Sequence, residues 1–296
     1  KITSLIILLG LFSWVASAQI PGSFVTSPDK HLSVQLTLKD GLAGYQVFKN
    51  NQPLLAPSAL GLVLTDVDLS KNLKEVSKSP EKTITQTYAM CNAKKANLRY
   101  QAKQRSWTLA TPTGQSLEII FQVSNDAVAF RYRVKRPKEA ISKVESEPTS
   151  FAFLAESRAW LQPMAVAKSG WEATNPSYEE TYEQDIAVGT PSTKGAGWVY
   201  PALFKTKDTW ILLTEAGLDS TYCATRLQDQ SPGGEYFIGF PDAREVIKDK
   251  NLKPRARGTF QSPWRVLTIG NLATLIESTA GTDLALPAQK VDADFI

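Results

Sequence analysis

The chain has 296 residues, 43% of them hydrophobic and 21% charged, with a formal net charge of +4. That apolar content can fill a large core, while so slight a basic excess, broken up by acids, does not support a nucleic-acid groove. The single histidine, His31, falls in a loop ahead of the first strand, which leaves no His-dependent triad or His-rich metal site, and no phosphate loop, Gly-x-Ser-x-Gly elbow or His-Glu-x-x-His run is present.

At the N-terminus, Lys1 precedes an apolar run from Ile2 to Val15, and Ala16-Ser17-Ala18 supplies a small-residue cleavage pattern. Residues 1–18 are therefore expected to be a signal peptide, with Gln19 the mature start. The run is too short to span a bilayer, and no lipobox cysteine stands at the cleavage point. Export to the periplasm, with no membrane span, is the expectation. In such an oxidising compartment Cys91 and Cys223 could be bonded or stay as two buried thiols, and their spacing matches no metal motif.

Beyond that point the chain reads as strands separated by turn residues. Alternation marks Ser33–Leu38, Gly61–Leu69, Thr83–Met90, Leu117–Val123 and Ala129–Val134, and later Phe151–Leu154, Trp210–Glu215, Tyr236–Phe240 and Trp264–Ile269. Turns are signalled by Lys39-Asp40-Gly41, Pro112-Thr113-Gly114 and Ser231-Pro232-Gly233-Gly234. Two lysine-rich stretches, Lys71–Lys82 and Lys94–Arg105, are interrupted by acids and apolar residues and read as solvated strand faces or loops. Only Asn271–Ser278 carries helical spacing, at Leu272, Leu275 and Ile276. An all-β fold follows, a large antiparallel β-sandwich of two packed sheets with little helix, occupying residues 19–288 as one domain.

The densest mixture of aromatics, acids and turn residues runs from Trp171 to Tyr222. Such a mixture suits a sugar, which offers an apolar C–H face and a rim of hydroxyls. Taken in order with NDAVAFRYRV (Asn125–Val134) before it and SPWRVLTIG (Ser262–Gly270) after it, this stretch resembles the N-terminal domain of glycoside hydrolase family 97, a family of α-glycosidases, over nearly all of the mature chain. The resemblance implies a β-super-sandwich, in agreement with the strand pattern.

It also implies a calcium-dependent α-glycoside hydrolase, of α-glucosidase or α-galactosidase type, acting on an α-linked oligosaccharide. In that family the catalytic carboxylates and most calcium ligands lie in a (β/α)8 barrel that follows the N-terminal domain. Residues 289–296 resemble the start of the linker to that barrel, and without it the chain is expected to hydrolyse nothing. One calcium ligand of the family is a Glu from the N-terminal domain. Tyr178-Glu179-Glu180-Thr181-Tyr182 is its expected place, with Glu179 ahead of Glu180 and a solvated loop as the plain alternative. Calcium takes six to eight oxygen ligands, so one such carboxylate would hold it weakly alone.

Trp171 and Trp198 are the expected sugar platforms, because Gly195-Ala196-Gly197 suggests a turn that presents the Trp198 ring. Trp160, Trp210 and Trp264 are expected in the core, and Trp107 could be either. Glu215, at a strand end, is expected to pair with an arginine, Arg131 or Arg265, or to cap the following turn, and Asp126 to shape its own turn. A stand-alone carbohydrate-binding sandwich, in which exposed aromatics outweigh Glu179, is the alternative, and a purely structural remnant is a third.

Overall fold

The computed structural model describes residues 23–90, 93–167, 180–245 and 253–285. In chain order, β1 (Phe24–Thr26), β2 (Leu32–Lys39), β3 (Leu42–Lys49), β4 (Gln52–Pro53) and β5 (Ser58–Ala59) form a five-stranded antiparallel sheet. Its central hairpin turns on Asp40 and Gly41, whose φ values of 52° and 77° give the left-handed two-residue loop that matches strand twist. β2 buries every second residue, Leu32, Val34 and Leu36, as the alternation in sequence requires.

β6 (Val63–Leu64) and β7 (Val67–Asp68) follow, and here the expected single strand over Gly61–Leu69 is corrected. The chain folds back at Thr65-Asp66 so that Val63 opposes Asp68 and Leu64 opposes Val67. β8 (Lys74–Lys78), β9 (Lys82–Ala89), β10 (Asn97–Ala110), β11 (Ser116–Ser124) and β12 (Ala127–Val134) come next, then β13 (Ile141–Ser146), β14 (Ser150–Ala152), β15 (Arg158–Ala165) and β16 (Glu183–Ala187). β17 (Gly195–Thr206), β18 (Thr209–Ala216), β19 (Arg226–Leu227), β20 (Glu235–Gly239), β21 (Arg255–Arg257), β22 (Phe260–Gln261) and β23 (Trp264–Gly270) lead to two short helices, α1 (Leu272–Glu277) and α2 (Ala280–Leu284). The helical spacing at Asn271–Ser278 is thus a helix, closed at its start by the Asn271 side chain accepting from the Thr274 amide.

Strands β6, β7, β13 and β21 make a small sheet. The others make a large one whose main path runs β14-β20-β19-β17-β18-β23-β12-β11-β10-β8, and all pairings are antiparallel. The expected all-β antiparallel sandwich is what the chain forms.

The five-stranded sheet packs on the inner face of β10, β11 and β12, where Tyr45, Trp107, Phe121 and Phe130 are fully or almost fully enclosed. The Tyr45 and Phe130 rings lie 4.9 Å apart, and Tyr45 Oη donates to the Ser150 carbonyl at 2.9 Å. A buried tyrosine therefore gives packing and also satisfies its hydroxyl. The outer face of the large sheet carries a second, smaller core, in which α2 places Ala280 and Leu284 over Ile120, Ala129, Trp264 and Val266. β11 and β23 are consequently buried on both faces, so the alternation expected at Leu117–Val123 and Trp264–Ile269 does not divide a buried face from a solvated one.

Candidate functional site

The deepest polar feature of the described residues lies where β18 and β23 pair, Glu215 opposite Arg265. Arg265 is fully buried. Its Nε and Nη2 donate to the two oxygens of Glu147, at 2.9 and 2.6 Å, and its Nη1 donates to Glu215 Oε1. Tyr222 Oη donates to Glu147 at 2.6 Å, while the Thr225 amide and hydroxyl donate to Glu215 at 3.0 and 2.6 Å. Burial alone would pull the guanidinium's pKa down, but the two carboxylates outweigh it and hold the value well above the usual range.

Of the two roles expected of Glu215, the structure shows pairing with an arginine; its other contacts are with Thr225, further along the segment after its strand, and not with the turn that follows it. The arginine is Arg265 and not Arg131. Glu147, in the loop after β13, was not singled out from sequence. The signal available was Arg265 itself, since an arginine inside an apolar strand needs a carboxylate from elsewhere in the fold. Every member of the cluster is tied to another, so it organises residues 215–225 and presents no free acid for catalysis.

The expected sugar-site residues fall apart on inspection. Trp198 is fully buried in β17, opposite Leu227, and the expectation that its ring is displayed on an exposed turn is corrected. Gly197 has φ +93°, and a Cβ there would stand 1.9 Å from the Leu227 carbonyl oxygen. Gly197 lets β17 approach β19 closely beside Trp198. Glu180 is half-buried and lies 3.4 Å from Lys194 Nζ. Trp171, Glu179 and Cys91 lie outside the described residues.

Cys223 is a free, half-buried thiol among the described residues, pushed up to about 11 by burial and the nearby Glu215. No group of three His, Cys, Asp or Glu side chains that could hold a metal occurs among the described residues.

The tryptophans expected in the core divide. Trp264 is buried, as is Trp107, whereas Trp160 and Trp210 are only half-buried on the outer face of the large sheet. Their rings lie 4.8 Å apart, with Lys205 Nζ 5.2 Å from the Trp210 ring. The partly exposed tryptophans among the described residues are these two, on β15 and β18, and not Trp198.

The sequence matches the family model described as Glycosyl-hydrolase 97 N-terminal over residues 25–287. The chain belongs to that family. The family 97 domain is 28% identical over 263 residues to a protein of Streptomyces bingchenggensis named "Probable retaining alpha-galactosidase", covering 89% of this chain and 37% of that protein. The crystal structure of a beta-arabinopyranosidase shares 34% identity and a TM-score of 0.85 with it, over 90% of this chain and 43% of that one. A family 97 enzyme from Pseudoalteromonas sp. strain K8, in complex with acarbose, has the same fold at 22% identity and a TM-score of 0.73, over 89% of this chain and 38% of that one. The chain spans less than half the length of each of these relatives.

Proposed function

We propose that this family 97 domain is the non-catalytic N-terminal part of a calcium-dependent α-glycoside hydrolase. In this reading it packs on a (β/α)8 catalytic barrel, walls one side of the pocket for an α-linked oligosaccharide and donates a calcium ligand. The observation that carries it is the match of residues 25–287 to a family defined as an N-terminal domain, together with the span of only 37–43% of the two relatives above whose names carry a glycosidase activity.

The ligand would be Glu179 or its neighbour Glu180, and Lys194, now 3.4 Å from Glu180, would turn away if Glu180 took the role. When bound, the ion would supply positive charge beside the reacting sugar. This chain's residues would position that ion and exclude water. The acid and the base or nucleophile of glycoside hydrolysis would come from the barrel. An exported, periplasmic location is part of the proposal, resting on the signal-peptide pattern of residues 1–18, which lie outside the described residues. No described helix is long and apolar enough to cross a membrane.

The test is calorimetric titration with calcium, the chain alone and mixed with a family 97 barrel, for wild type, Glu179→Gln and Glu180→Gln. Calcium binding and hydrolysis that appear only in the mixture and fall at least about tenfold in one Gln variant are expected, as loss of a charged ligand should cost that much. Equal affinity in wild type and both variants would sink the ligand assignment.

A second reading, a carbohydrate-binding sandwich, is favoured by the half-exposed Trp160–Trp210 pair. Maltose binding by the chain alone, lost in Trp210→Ala and indifferent to both Glu changes, would select it.

A further inference from the structure

The outer face of the large sheet, at the end away from Trp160 and Trp210, holds a cavity that the family assignment does not use. Its floor is built from three neighbouring strands. Ser106 of β10 stands opposite Ile120 of β11, which stands opposite Arg131 of β12, and in the adjoining row Thr108, Glu118 and Arg133 face one another. The connection from β8 to β9 supplies a wall with Ser79 and Pro80, Lys82 at the start of β9 adds to it, and the volume of this partly open cavity is about 480 Å³. That lies in the range of pockets that hold small organic molecules, and well above what a bare inorganic ion fills.

Its charge is unbalanced. Lys82, Arg131 and Arg133 line it against a single carboxylate, Glu118, an excess of two positive charges. Glu118 is already spent on Arg133, which grips it with Nε and Nη2 at 2.7 and 2.6 Å. Arg131 has no such partner. No described carboxylate pairs with it, and its Nε is buried without a hydrogen bond.

The guanidinium is nevertheless fixed in place, its Cζ 4.3 Å from the Trp264 ring centroid. A buried, unpaired guanidinium nitrogen is unfavourable, and stacking on an indole leaves the fork's hydrogen-bonding edge free for a carboxylate or sulfate. Burial and the neighbouring charge of Arg133 lower the Arg131 pKa to about 10, the direction that a bound anion would reverse.

We propose that this cavity is a binding site for an acidic sugar or a molecule of like size bearing one oxyanion group, with Arg131 its principal contact and Lys82 a flanking charge. Gln104 and Ser106 line the remaining surface and supply the amide and hydroxyl groups that suit a sugar's hydroxyls. The site stands on its own geometry and does not depend on a catalytic partner.

The experiment is isothermal titration of the full chain at constant ionic strength with sodium glucuronate, glucose and sodium sulfate. Saturable, one-site glucuronate binding is expected, at least about tenfold tighter than glucose because the charge-assisted bond is made only by the acid. Sulfate should compete for the same site. Arg131→Gln should weaken glucuronate binding about tenfold or more, and Lys82→Gln about threefold, as a flanking solvated charge does.

Lys82 is exposed and its side chain makes no described hydrogen bond or ion pair, so its variant should fold whether or not Arg131→Gln does. Glucose binding as tightly as glucuronate, glucuronate failing to bind, or glucuronate affinity unchanged in Lys82→Gln and in a folded Arg131→Gln would each overturn the proposal.

Discussion

Arg265 illustrates how a single side chain can be worth more to the fold than its contacts suggest. One guanidinium sits between two buried carboxylates, Glu147 and Glu215, and the desolvation of all three is offset only while the set is complete. Replacing it with an apolar residue of similar length leaves both carboxylates buried without a counter-charge. Arg265→Met should therefore cost about 3–5 kcal/mol, the range for breaking a buried pair from one side. Urea unfolding checks this through the shift in midpoint at unchanged slope. A loss under 1 kcal/mol would mean that water reaches the carboxylates and that the cluster is not the closed unit described. Glu147→Gln, which keeps a hydrogen-bonding group opposite Arg265 and Tyr222, should be milder than Arg265→Met.

Among the elements, those with regular alternation and clear turn residues were legible from sequence. β2, β9, β12, β18 and β23 stand within a residue or two of their expected spans, and α1 lies one residue inside its expected span at each end, with Asn271 and Ser278 as its caps. β17 was not legible, and the reason is physical. Gly195-Ala196-Gly197 carries the signature of a turn, yet in the fold Gly197 allows the strand to pass close to β19. Whether a glycine marks exposure or close approach depends on what lies across from it, and that is not written locally.

The Trp198 indole is fully buried, while Trp160 and Trp210, on well-formed strands, lie half-buried on the outer face of the sheet, outside the small core that α2 builds there. A test of this account is Gly197→Ala. Its φ of +93° is one that L side chains rarely adopt, and the new methyl would collide with the Leu227 carbonyl. A destabilisation of more than about 2 kcal/mol is expected, from backbone strain and steric displacement together. Gly114→Ala, at φ +86° in a hairpin loop with no neighbour within 4 Å, should cost less, since it adds strain without a clash. Equal effects at the two positions would show that conformation alone, and not close packing over Trp198, explains the Gly197 requirement.

At the scale of the molecule, the question is whether the two facing sheets are one folding unit. The described core argues that they are. A continuous apolar cluster runs from Val34 and Tyr45 in the five-stranded sheet through Phe121, Phe130 and Phe151 to Phe204 and Tyr236 at the far end of the large one. Three hydrogen bonds fasten it where the layers meet: Tyr45 to the Ser150 carbonyl, the Ala59 amide to the Ser150 hydroxyl at 2.7 Å, and the Gly61 amide to the Tyr132 hydroxyl at 3.0 Å. Opening the sandwich would expose both inner faces at once and strand those buried polar groups, so neither layer has a stable half-state to stop in.

The expected outcome is a single transition despite a length at which intermediates are common. Far-ultraviolet circular dichroism, which follows the strands, and tryptophan fluorescence, to which the buried Trp107, Trp198 and Trp264 contribute, should trace the same curve in urea. Curves separated by more than their error would instead show that the chain unfolds in more than one step. The continuity of the aromatic cluster would then be a feature of the native packing only and not of the folding cooperativity it is argued here to impose.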